Sequence, residues 1–172
     1  MSYLKVRFGG AIAQGMMNTF ALAYNLTRKA SCFFEKLMAK DRFHNAVRTA
    51  LEKENWVITA DPYQLSVGEV DFEIDLAAEL IAAERAGEKI AVEIKSFISR
   101  SLVSDFHTAL GQCINYQFAL NEVDPQRNLY LAIPETIYQS FFQRRFVRSV
   151  IDKTQINLLI YEQTQEVIRQ WL

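Results

Sequence analysis

Cysteine and proline are scarce in this chain of 172 residues, which has two cysteines, Cys32 and Cys113, and three prolines. No CxxC pair and no Cys/His spacing points to zinc, and no disulfide framework is visible. Two unrelated thiols suit a reducing, cytoplasmic compartment. An excess of charge of one sign is missing as well. A net charge of −1 gives no bulk attraction to nucleic acid, so a DNA site has to be a local basic patch or one neutralised by metal. Long apolar runs are also absent. The stretch GGAIAQGMMNTFALAYNL is broken by Gly, Gln, Asn and Thr. It falls short of the roughly 20 apolar residues of a membrane span and of the compact apolar centre of a signal peptide. There is no P-loop, GxGxxG or HExxH motif, no Ser-His-Asp or Cys-His arrangement, no repeat and no low-complexity tract.

What is present suits one globular domain. Half the residues are apolar, enough for a sizeable core. Charge is unevenly placed: Lys5, Arg7, Arg28, Lys29 and Lys36 against Glu35 give residues 1–37 a balance of +4, leaving −5 for residues 38–172. Met38 opens MAKDRFHNAVRTAL, which reads as a natural start. Residues 1–37 are therefore expected to be an extension outside the domain or a poorly ordered arm.

Periodicity gives the elements of residues 38–172. Phe43, Ala46, Val47, Ala50 and Leu51 recur at helical spacing over 41–52. NWVITA (55–60) reads as a strand ending at Asp61-Pro62. Over 70–76, Val70, Phe72, Ile74 and Leu76 alternate with Asp71, Glu73 and Asp75. LAAELIAAERAGEK favours helix by propensity, with a hairpin arm turning at 85–88 as the rival. In KIAVEIKS (89–96), Ile90, Val92 and Ile94 point one way, Glu93 and Lys95 the other. Ser104 is expected to cap a helix through Leu120, with Asp105 in its first turn and Phe106, Leu110, Ile114 and Phe118 on one stripe. NLYLAI (128–133) has the composition of a buried strand. A helix over 136–150, a strand over 156–161 and a pairing segment over 166–172 complete a mixed α/β domain.

Two of these strands carry the chemistry. Neighbouring strands lie about 4.8 Å apart, so Asp75 on one and Glu93 on the next can share a hard cation, magnesium or manganese, at about 2.1 Å for magnesium. Such a metal polarises a phosphate oxygen and acidifies a water. Lys95, on the same side as Glu93, can stabilise the developing charge. A bare Glu-x-Lys in a strand is more often a solvated edge; here an upstream acid and a following helix with Gln112 and Tyr116 four residues apart add context. His44 on the first helix is a further site candidate and His107 a weaker one.

The set Asp75, Glu93-x-Lys95 resembles that of the PD-(D/E)XK nucleases, and QCINY resembles the Q-x-x-x-Y motif of their RecB-like branch. More specifically, MAKDRFHNAVRTALEKENW, DFEIDLAAELIAAERAGEKIAVEIKSF and DFHTALGQCINYQFAL resemble, in that order over about residues 38–172, the XisH family of fdxN element excision controlling factors. The resemblance implies a restriction-endonuclease-like fold, a mixed β-sheet flanked by helices, and the hairpin rather than the helix for 76–92. A tight hairpin turn at Ala86 would set Glu79 rather than Asp75 against Glu93; a bulge or longer loop would restore Asp75. It implies site-specific excision of a DNA element beside a recombinase and a small partner, XisI. Catalysis is then expected from Asp75, Glu93, Lys95 and His44, metal binding from Asp75 and Glu93, and substrate binding from Gln112 and Tyr116. A non-cleaving module that binds DNA or XisI, and a toxin-like nuclease restrained by XisI, stay open. A homodimer is compatible with this reading, and no membrane partner is expected.

Overall fold

The computed structural model describes residues 42–80 and 87–172. The expected N-terminal extension, Cys32 and the residues 81–86 of the expected hairpin turn lie outside them. Among the described residues no helix is long and apolar enough to cross a membrane.

Residues 42–53 form helix α1, with Phe43, Ala46, Val47, Ala50 and Leu51 buried as their spacing requires. Strands β1 (Trp56–Ala60), β2 (Tyr63–Val67), β3 (Val70–Ile74), β4 (Leu76–Leu80) and β5 (Lys89–Ile94) follow, then helix α2 (Leu102–Val123) and β6 (Arg127–Pro134). A short helix α3 (Glu135–Ile137), a π-helical turn (Tyr138–Phe142), helix α4 (Arg145–Thr154), β7 (Asn157–Glu162) and β8 (Val167–Trp171) end the chain. One sheet has the order β1-β4-β5-β6-β7-β8 and a separate hairpin joins β2 to β3. Strands β5, β6 and β7 run parallel; the outer pairs are antiparallel.

The sheet is covered on both faces, which is why β5, β6 and β7 are almost uninterruptedly apolar. On one face Ala91, Leu131, Ile133, Leu158 and Ile160 pack with Phe106, Ala109, Cys113 and Tyr116 of α2. On the other, Val92, Ile94, Leu159 and Tyr161 are buried outside that cluster, and Phe43 of α1 lines one cavity with Ile94 and one cleft with Tyr161. The sheet curls until its outer strands meet. Trp56 of β1 and Trp171 of β8 lie 5.7 Å apart between ring centroids, Tyr130 stands edge-on to Trp171 at 4.9 Å, and Trp171 Nε1 donates to Glu54 Oε2 at 3.2 Å. Lys53, at the end of α1, donates to the Gln165 and Glu166 carbonyls in the β7–β8 turn.

Several sequence expectations change. LAAEL is strand β4, not helix: between β1 and β5 it buries Leu76, Ala77 and Ala78 completely, and that burial outweighs local propensity. The run 70–76 is split by a bend at Asp75. Ser101, not Ser104, caps α2; its side chain accepts from the Ser104 N–H at 3.2 Å. Phe118 does not continue the buried stripe, being 73% exposed, because Cys113, Tyr116 and Leu120 supply that face. The helix expected over 136–150 is interrupted by the π-helical turn and a break at Gln143–Arg144.

Candidate functional site

Strand register decides which acids face each other. In the β4–β5 pair Leu76 lies opposite Val92 and Glu79 opposite Lys89, so Asp75, one position before Leu76, falls in line with Glu93. Glu79 is instead held across the strand, 3.7 Å from Lys89 Nζ and 3.6 Å from Arg127 Nη2. The bend at Asp75 turns its carboxylate onto β5, where Oδ2 accepts the Ile94 N–H at 2.8 Å. Glu93 is buried, 5% exposed, and Lys95 is half-buried.

Helix α2 roofs these groups. Lys95 Nζ donates to Gln112 Oε1 at 3.0 Å, and Gln112 Nε2 reaches Tyr116 OH at 3.4 Å. The spacing of four thus puts both side chains on the face toward the sheet. The Tyr116 phenol is pushed above its ordinary value by burial, then by the Glu93 charge, with Asp75 adding to this and the Gln112 bond opposing it. Both carboxylates therefore act on the same phenol. Phe72 of β3 packs edge-on against Tyr116 at 6.0 Å, so the β2–β3 hairpin closes over this end of the roof. Cys113 is pushed up to about 12, chiefly by burial and next by Glu93. It is a packing residue, since a thiol that far from ionising is a poor nucleophile.

His44 approaches from α1. It lines a small cavity with Phe43, Asp75, Ile94 and Ser96, but its Nε2 points toward Asp61, 3.0 Å from Oδ1 and off the line of a hydrogen bond. Asp61 is held in turn by Arg48 Nη1 at 2.6 Å. His107 is exposed on α2. Phe97, two residues after Lys95, has φ +53°, an uncommon conformation for a bulky residue, and packs against Phe141 and Phe142.

Sequence reasoning missed Tyr161, Asp61 and Ser96. Tyr161 is fully buried, its hydroxyl has no hydrogen-bond partner among the described residues, and burial, then the Asp75 charge, push its phenol above the ordinary value. An unpartnered buried hydroxyl costs folding free energy. Tyr161→Phe is therefore expected to leave stability unchanged or raise it by about 1 kcal/mol, as read from the urea unfolding midpoint; a clear loss would mean that the hydroxyl is bonded in solution.

Among the described residues no three His, Cys, Asp or Glu side chains gather as metal ligands. Two carboxylates with water completing the shell suit the sparse protein ligation of magnesium, and Asp75 and Glu93 supply two hard oxygen groups on adjacent strands.

The XisH family model, described as "XisH protein", matches residues 37–169. The crystal structure of an XisH family protein from Nostoc punctiforme PCC 73102 shares 52% sequence identity and superimposes with a TM-score of 0.71, covering 76% of this chain and 98% of that one. The crystal structure of an fdxN element excision controlling factor protein from Anabaena variabilis gives the same identity, TM-score and coverage. No curated protein matches the chain.

Proposed function

Because the chain belongs to the XisH family, we propose that it acts in excision of a DNA element as a metal-dependent endonuclease of the PD-(D/E)XK, restriction-endonuclease-like type. The observation that carries this reading is the β4–β5 register, which aligns Asp75 with Glu93 and leaves Lys95 beside them under Gln112.

Asp75 and Glu93 would hold magnesium or manganese, which when bound supplies charge neutralisation at the phosphate and a more acidic water. The chain's own groups do the rest. The Ile94 N–H fixes one oxygen of Asp75. Gln112 fixes the Lys95 ammonium, so its charge is set in place before the phosphate becomes more negative and needs no reorganisation at that moment. Tyr116 steadies Gln112. His44, turned to Asp61, completes this end of the site by lining the small cavity it shares with Asp75. Strand exchange is left to the recombinase, with XisI as the small partner.

The test is cleavage of supercoiled, linear and single-stranded DNA by the full chain, with and without XisI. Cutting that stops on chelation and returns with magnesium or manganese supports the proposal. No cutting of any substrate under any of these conditions would replace it with a module that works by binding.

A further inference from the structure

We propose that the outer surface of α4 and the turn before it form a groove for single-stranded DNA, apart from the acids at the end of β5. The inference takes from the reading above only that DNA is the partner. Residues 38–172 carry −5 overall, yet Arg144, Arg145 and Arg148 fall within five residues and all are exposed. Arg48, Arg127 and Arg169 each pair with a carboxylate, whereas these three form no ion pair among the described residues. Three unpaired arginines on an acidic domain make a local field that favours an anionic partner.

The same surface offers stacking. Phe146 stands between these arginines and is 73% exposed. The Arg144 guanidinium lies 5.1 Å above the Phe141 ring, which fixes its plane. Val147 is buried and Val150 and Ile151 are half-buried against the core, so Arg145, Phe146, Arg148 and Ser149 are presented outward. Two clefts of ≈ 380 and ≈ 350 Å³ adjoin there and share Gln143, Arg148 and Asp152. Arg148 lines both clefts and Arg145 one of them, with Arg144 and the exposed Phe146 next to them in the chain; cations with an exposed aromatic among them suit a single strand, whose phosphates and unstacked bases are both available. A duplex keeps its bases stacked and leaves Phe146 without a partner.

Binding of the full chain to fluorescein-labelled oligo(dT) and to a hairpin duplex, followed by anisotropy in EDTA, tests this without any cleavage. Changing Arg144, Arg145 and Arg148 together to Gln is expected to reduce the slope of log affinity against log salt by about 2, from about 0.7 per phosphate on single strands. Phe146→Ala should weaken oligo(dT) binding about fivefold or more and leave the duplex unchanged. A salt slope unaffected by the arginine changes, or a Phe146→Ala loss equal on both DNAs, would overturn the groove. Oligo(dT) binding with these sensitivities but no cleavage anywhere would remove the nuclease reading and keep the groove; cleavage without these sensitivities would do the reverse.

Discussion

Glu93→Gln and Lys95→Ala are each expected to lower metal-dependent DNA cleavage by about 10³-fold, in the range found when one preorganised charge-stabilising group is removed. The two should fail differently. Glu93 is a buried carboxylate in line with Asp75, and glutamine keeps its volume while removing the charge that the proposed cation would need. Raising magnesium or manganese should therefore recover part of the activity of Glu93→Gln, because the defect is in ligation. Lys95→Ala takes away the cation held by Gln112, and no amount of metal should recover it. Circular dichroism and DNA affinity should stay near wild type in both. Equal cleavage by wild type and both variants would trace the activity to a contaminant or to another site.

The largest expected effect on stability is at Arg127. Its side chain is buried and enters from β6, where Nη1 donates to the Ile90 carbonyl at 3.0 Å and the Ala78 carbonyl at 3.5 Å. Nε donates to Asp124 Oδ2 at 2.9 Å, and the guanidinium lies 4.9 Å above the Tyr63 ring. One side chain thus ties β4, β5, the end of α2 and the β2–β3 hairpin together. Removing one member of such a buried network leaves carbonyls and a carboxylate without their donor. Arg127→Ala should cost about 3 kcal/mol, roughly 10 °C in melting temperature for a domain of this size. Lysine should restore only a fraction, since a point charge cannot replace the planar fork. A loss below about 1 kcal/mol, typical of an exposed ion pair, would show that the network does not bear on folding.

What could be read from the sequence was local or periodic. The alternation in KIAVEIKS placed Glu93 with Lys95, and a separation of four placed Gln112 with Tyr116; both hold. The position of Asp75 hung on a register that no window of residues specifies, because a one-residue slip reverses every side chain. LAAEL read as helix on propensity, whereas burial between two strands made it a strand. YQLSV was too short and too mixed to stand out, and it became the β2 arm of the hairpin. Tyr161 and Asp61 were invisible as neighbours of the site because they lie on β7 and in the β1–β2 turn, and only the tertiary fold brings those segments near Asp75 and His44. Arg144, Arg145 and Arg148 were in plain view in the run QRRFVR (143–148), but their lack of ion pairs among the described residues is a property of the folded surface.

The meeting of the two outer strands has a photophysical consequence. The chain has only two tryptophans, and both stand at that joint, 5.7 Å apart. All of its indole emission therefore arises from one place, where the first and last strands of the sheet close on each other. Rings at that separation couple electronically, so opening the joint changes emission and near-ultraviolet ellipticity together. Sheet closure can thus be followed in real time, without a label, while DNA or a metal ion is titrated into the solution.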